Sequence, residues 1–517
     1  MKKTLLKSAL LGVSLLSMAT AANAGIVELN LTGASAQYKF WNAAGPFFVV
    51  SQGCSAANDV YIASAKLGGE EHGITVCAGN VPTGTAGDTG AGYNAAGDTL
   101  VFRYTSFASY EGPRSVQCAN PENLLQVPTQ KDNVSITTWD CATQGYNSTY
   151  CFPACNANGC ERHLASKSGS NLKRLAVNMT TKTTATHAAN TGTGVVGDLE
   201  CGDIHIGASD VDAATFNQYS KGRIYGPRQT VDGSNVIVER DIKNVTVPAS
   251  YKVYRPIVVP FSFFVNDGSP DGNAANDVPV AFNNLSRIQA VALYSGHIGN
   301  WNQFDPAHAS LPVKVCLRHA GSGTAASLDA AVMRGEGSLV RFEKTQNMDF
   351  VNDPNLELWD PLAGITTPTV WFNNGSSDEM NCVGGKYDGT SAQFTDIYTG
   401  ATYDPSGAIG YADSDKQSGV TGARLSSKYG QLRRINYQGY EGNAANLKYG
   451  NYMFWAAQWL WMSNTDYANT TYKNLYDGLN TYASNSANWP AGVSSWWAAQ
   501  GDMLVEKASD YSFPTRK

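Results

Sequence analysis

The run YRPIVVPFSFFVN at residues 254–266 leaves the chain few options. It is almost wholly apolar, β-branched or aromatic, so a strand built from it has no face to offer to water and must lie inside a layered structure. GDTLVFRYTSF (97–107) reads the same way, as a second buried strand. Helical spacing alternates with these runs. LSRIQAVALYSG (285–296) carries Ser286 and Gln289 at capping-box spacing and stops at Gly296. TAASLDAAVMRG (324–335) puts Ala325, Leu328 and Val332 near one helix face. Strands alternating with helices predict an α/β architecture.

The first residues read as an export signal. Lys2, Lys3 and Lys7 precede the apolar ALLGVSLLSMA, and Ala22–Ala24 offer a small-x-small cleavage site. Residues 1–24 are therefore expected to be removed, placing the rest in the periplasm or outside the cell. The apolar run is too short to serve as a membrane span. No cysteine follows the expected cut, so no lipid anchor is expected there. Removal leaves 517 − 24 = 493 residues with net charge (37 − 3) − 43 = −9. Such length calls for at least two core-forming regions. Net acidity, only 15% charged residues and no basic block exclude a nucleic-acid binder. An acidic chain does not steer anions by its overall field, so an anion site here must work through local dipoles. Ten cysteines in an exported chain read as up to five disulfides. Neither a haem-attachment motif nor paired zinc spacing is present, and no cofactor is expected.

Residues 113–200 break the α/β rhythm. They hold Cys118, Cys141, Cys151, Cys155 and Cys160 among Asn, Thr, Ser and Gly, and read as a disulfide-stapled insertion. The loop NDGSPDGNAAND (266–277) partly resembles a calcium loop but has Val278 where an EF-hand closes with glutamate; a solvated hairpin loop is expected. YMFWAAQWLWM (452–462) is about half a membrane span, is interrupted by Gln458, and is expected to be a buried helix. NTTYKNLYDGLNTY and NWPAGVSSWW offer aromatics for helix packing or, alternatively, for a sugar-binding surface.

LRHAGSGTAASLDAAVMRG (317–335) raises the chemical question. A helix start leaves backbone N–H groups unpaired and partly positive. Glycines admit a ligand close to that backbone, hydroxyls add donors, and Arg318 adds a planar fork matched to tetrahedral oxyanions. Taken alone, the stretch reads either as an anion site or as a Gly-Ser turn that caps a helix.

LTGASAQYKFW (31–41), YTSFASYEGPRSV (104–116), IHIGASDVDAATF (204–216), YSGHIGNWNQF (294–304) and SGAIGYAD (406–413) surround it in a particular order. In that order they resemble the periplasmic phosphate-binding proteins that feed ABC transporters, over most of residues 30–415 outside the insertion. The resemblance implies the two-lobed type II binding-protein fold, closing on inorganic phosphate or a related oxyanion. It implies lobe 1 over 25–255, lobe 2 over 256–410, and a return to lobe 1 with aromatic helices over 411–517. The lobe crossings would lie near Arg255–Val265 and Gly407–Asp413. Carried over, Ser35 and the Ala36 amide donate from the first loop and Ser109 from the second. Arg318, Ser322, Gly323 and Thr324 bind from the other lobe. Asp210 would accept the proton that hydrogenphosphate still carries; sulfate has no such proton and would leave the carboxylate unpaired and repelled. The chain departs from the family at Ala320, where an aspartate is usual, and at Tyr110 and Glu111, where glycines are. A glutamate there repels phosphate if it faces inward and is harmless if it faces solvent. His319 is expected to be an exposed turn residue.

Under this lobe division, Cys316 and Cys382 fall in the second lobe and the other eight cysteines in the first, so Cys316 and Cys382 are expected to pair. Cys54 and Cys77 are sequence neighbours among the rest. The expected function is non-enzymatic capture of phosphate for a membrane permease. The alternative is a fold relative serving adhesion or surface structure. No G-x-S-x-G or H-E-x-x-H motif suggests an enzyme.

Overall fold

In the computed structural model, every residue of Ile257–Asn266 is buried, as its composition requires. The described residues are 26–54, 60–67, 70–77, 99–116, 174–177, 196–200, 204–216, 219–224, 237–241, 247–267, 278–279, 281–294, 297–318, 321–334, 370–373, 375–385, 403–416, 425–427 and 429–517. The expected export signal, residues 268–277, His319, Ala320 and the cysteines of the expected insertion lie outside them.

A seven-stranded sheet contains β1 (Ile26–Ala34), β2 (Val60–Leu67), β3 (Glu70–Cys77), β4 (Thr99–Phe107), β7 (Ile206–Ser209), β10 (Lys252–Tyr254) and β19 (Trp459–Met462), in the order β10-β19-β7-β1-β4-β3-β2. Between β4 and β7, β5 (Arg174–Val177) and β6 (Val196–Glu200) form a separate hairpin. An eleven-stranded sheet is built on β8 (Tyr219–Ile224), β9 (Ile237–Asp241), β11 (Ile257–Asn266), β12 (Asn284–Leu285), β13 (Lys314–Arg318), β14 (Val370–Asn373), β15 (Ala408–Asp413) and β17 (Gly430–Tyr437), ordered β12-β17-β11-β15-β13-β14-β8-β9. Its flanking strands are β16 (Leu425–Ser427), β18 (Trp455–Ala457) and β20 (Ala498–Ala499). The chain is thus an α/β molecule with two sheets. No described helix is long and apolar enough to cross a membrane.

The helices sit where the capping signals put them. Ser286 and Gln289 bond reciprocally, at 2.8 and 3.3 Å, before the helix Arg287–Tyr294. The helix Gly323–Leu328 starts on a Ser322 cap and runs into a wider turn, Asp329–Met333, ending at left-handed Arg334.

Three expectations need correction. Residues 452–462 do not form a helix: β18 pairs with Val258–Pro260, and β19 inserts between β10 and β7. Second, β11 leads away from the first sheet as expected, but β15 lies wholly inside the second sheet; the return crossing is the step from β18 to β19, at Gln458. Third, sheet membership does not follow the boundaries 255 and 410. β8 and β9 pair into the second sheet from the N-terminal side, and β16 and β17 from the C-terminal side. Strand pairing over long sequence separations sets these memberships, and local composition does not report it.

The C-terminus forms a hairpin of β21 (Val505–Glu506) and β22 (Thr515–Arg516). Its tip touches both halves. Lys507 Nζ donates to the Trp455 carbonyl at 2.7 Å, and Asp510 Oδ2 accepts from the Asp212 amide at 2.7 Å and Thr215 Oγ1 at 2.8 Å. The Arg334 guanidinium lies 3.7 Å from the centre of the Phe513 ring.

Candidate ligand-binding site

Strands β1, β4 and β7 are parallel, and their register sets Ala34 beside Phe107 and Gly33 beside Ala208. Ser35, Ser109 and Asp210 therefore leave the first sheet together at its carboxyl edge. In the second sheet β13, β14 and β15 are parallel, with Arg318 beside Asn373. Arg318, Asn373 and Asp413 end those three strands. Carboxyl edges of α/β sheets are where the chain turns into loops and helix starts, and hence where ligands are held.

The two edges meet. The Tyr110 amide donates to the Gly321 carbonyl at 3.2 Å. A methyl group on Gly323 would lie 2.3 Å from Ser109 Oγ and 2.7 Å from Asp210 Cβ, so only glycine admits this approach. Ser35 Oγ lies 3.5 Å from Ser376 Oγ, which accepts from Arg318 Nη1 at 2.8 Å.

Arg318 is 1% exposed. Its Nε donates to the Asn373 carbonyl at 3.3 Å, and its amide donates to Tyr411 Oη at 3.2 Å. The disulfide Cys316–Cys382 ties β13 to the helix Ser376–Gly384, fixing Arg318 and Ser376 on adjoining supports. A second disulfide, Cys54–Cys77, joins the end of the helix Tyr38–Ser51 to the end of β3.

Asp210 is also 1% exposed. Its Oδ2 accepts from Ser109 Oγ at 2.9 Å, while Oδ1 has no hydrogen-bond partner. Burial pushes its carboxyl up to about 7; Ser109 and Arg318 pull against that shift, and Asp413 reinforces it. Thr324 Oγ1, Asn373 Oδ1 and Glu379 Oε2 are likewise buried without partners, and the Gln458 amide lies close enough to lower the Asp210 carboxyl. Glu379 accepts from the Tyr411 amide at 3.0 Å, and burial raises its carboxyl well above the ordinary range, with Arg318 opposing.

At this junction Ser109, Asp210 and Gly323 lie against one another, and Ser35 reaches Arg318 through Ser376; Thr324 is buried next to Gly323. Ala36 is buried in the short turn Ser35–Gln37, and Ser322 Oγ is committed to capping, accepting from the Ala325 amide at 3.4 Å. Glu111 does not face solvent. It is 3% exposed, in the first turn of the helix Glu111–Ser115, where the positive helix end favours a carboxylate. Sequence reasoning missed Ser376, Asn373, Glu379, Tyr411 and Gln458. Two of them carried a local signal: Tyr411 stands in the SGAIGYAD motif, and Ser376 follows the helix-start pattern in which the Gly375 amide donates to Asp378 Oδ2 at 3.0 Å. No group of three or more metal-ligating side chains occurs among the described residues.

No protein-family model matches this chain, and no characterised protein matches it in sequence. Several solved structures overlap it. An ancestral soluble variant of the Human Phosphate Binding Protein is 14% identical, over 61% of this chain and 84% of its own, with a TM-score of 0.34. A phosphate-binding protein from Stenotrophomonas maltophilia is 13% identical, over 55% and 70%, at 0.30. An ABC-type phosphate transport receptor from Vibrio cholerae is 16% identical, over 46% and 69%, at 0.26. Overlap at this level does not establish a shared ligand.

Proposed function

We propose that the chain is an exported solute-binding protein that captures hydrogenphosphate, or a closely related oxyanion, at the junction of its two sheets and delivers it to a membrane permease. The observation that carries this reading is the burial of Arg318 and Asp210, each 1% exposed, where the carboxyl edges of the two sheets meet, close enough for the guanidinium to act on the carboxyl. A guanidinium there attracts an anion, while a carboxylate with a free oxygen rejects any anion that has no proton to share. With a carboxyl pushed up to about 7, Asp210 can share a proton with an ion that itself exchanges one near neutrality. Ser35, Ser109, Ser376 and Thr324 supply hydroxyls around the same point, and no nucleophile or acid–base relay is needed.

Calorimetry on the protein lacking residues 1–24 tests the reading. Phosphate and arsenate should bind at neutral pH, sulfate far more weakly, and Arg318→Ala should lose the response. Silence toward all three anions would point instead to a relative that kept the fold for adhesion or surface structure.

A further inference from the structure

We propose that the chain carries a second ligand site, for a neutral pyranose-type sugar, in the pocket between the helix Tyr38–Ser51, Asp415 and the segment 490–497. The pocket measures about 360 Å³ and is lined by Lys39, Phe40, Asp415, Val493, Trp496 and Trp497, among others. That volume lies in the range of small-molecule sites and accommodates one or two sugar rings. Its lining residues include neither Asp210 nor Arg318, and the proposal does not depend on the anion reading.

The pocket's wall is rigid and aromatic. Phe40 and Trp497 stack at 5.2 Å with 22° between their planes, and Trp489 closes on Phe40 edge-on at 4.9 Å. Trp496 is held by the Arg434 guanidinium, 4.5 Å from its ring centre. Two polar side chains meet at one edge of the pocket. Lys39 Nζ donates to the Asp415 carbonyl at 2.9 Å and lies 3.4 Å from Asp415 Oδ2. The Lys39 side chain is 44% exposed, so its ammonium can still turn a donor toward a ligand.

Charge selects the ligand class by elimination. The Lys39 ammonium repels a cation that would otherwise sit against the tryptophans, and its existing bonds to the Asp415 carbonyl and carboxyl oxygens leave it already partnered and a poor anchor for an anion. A wholly apolar ligand would cover the ion pair without hydrogen-bonding it, which costs more than the contact gains. What remains is a neutral ring with an apolar C–H face for the half-buried Trp496 indole, which the buried Phe40–Trp497 stack backs, and a hydroxyl edge that bonds Asp415 and accepts from Lys39.

The test is a titration of the signal-free protein with glucose, galactose, mannose, N-acetylglucosamine and the disaccharides maltose and cellobiose, read by tryptophan emission and by calorimetry. Glucosamine and glucuronate serve as charged controls. At least one neutral sugar should saturate both signals, with both charged controls at least about tenfold weaker, a difference of about 1.4 kcal/mol. Trp496→Ala and Lys39→Gln should each weaken that sugar by about tenfold or more, with phosphate titration and melting temperature unchanged in Lys39→Gln. Lys39→Gln keeps the test decisive if Trp496→Ala fails to fold. No response to any sugar, charged controls that bind as well as the neutral sugars, or unchanged affinity in Lys39→Gln would each overturn the proposal.

Discussion

The carboxyl ends of β7 and β15 each bury an aspartate, and the two behave in opposite ways. Asp413 is 1% exposed; burial alone would push its carboxyl up, but Lys416 at 3.8 Å, with help from Asp415, holds it below the ordinary range. Asp210 is equally buried, but its bonded partner Ser109 is a neutral hydroxyl, and its carboxyl rises to about 7. Burial alone therefore does not decide the charge state of either group. A close cation makes Asp413 a structural anion, and the lack of one at contact distance leaves Asp210 able to hold or share a proton.

The comparison breaks most easily at Lys416. Lys416→Met leaves Asp413 as an uncompensated buried carboxylate and should cost about 3–5 kcal/mol in urea unfolding. An unchanged midpoint would mean that Asp413 simply takes up a proton and is no different from Asp210. Arg318→Ala should come next, reducing phosphate affinity by about 2–5 kcal/mol in calorimetry, because a buried charged partner of the ligand is removed. Asp210→Asn should shrink the preference for phosphate over sulfate by about 1–3 kcal/mol, since the amide no longer leaves an unpaired acceptor facing sulfate. An unaltered ratio would remove Asp210 from the selectivity argument.

The pH dependence sharpens the same contrast. The Asp210 carboxyl rises on folding from an ordinary 3.8 to about 7, so between those values the native state holds a proton that the unfolded chain has lost. Its stabilising contribution is complete at low pH and drains away as pH climbs to about 7, at about 1.4 kcal/mol per unit. Asp415, also raised to about 7, slopes the same way, so the informative quantity is wild type minus Asp210→Asn. A flat difference in melting experiments from pH 4 to 7 would contradict the buried, protonated state. Ser35→Ala should have the smallest effect, about 0.5–1.5 kcal/mol of phosphate affinity, because its nearest partner, Ser376 Oγ, lies as far as 3.5 Å away.

Much of this was legible in the sequence, for local reasons. The uninterrupted apolar run of β11, the Ser286/Gln289 box and the Ser322 cap are short-range signals that the fold obeys. The loops bearing Ser35, Ser109, Asp210 and Arg318 carried ordered motifs. Residues 455–462 were not legible, because an aromatic run of that length suits a buried helix or a strand equally until its partners are known. Those partners, Val258–Pro260, Lys252–Tyr254 and Ile206–Ser209, lie about two hundred residues away or more. Gln458 and Glu379 belong to no motif. Their place beside the junction comes from where the chain crosses between sheets and from which face of the helix Ser376–Gly384 turns inward.

The hairpin at the C-terminus has a mechanical corollary. It grips Asp212, two positions beyond Asp210, while its other contacts hold Trp455 and Arg334 on the opposite half. Separating the two sheets at the strands that connect them would require breaking either the Asp510 bonds to Asp212 and Thr215 or the Lys507 bond to Trp455.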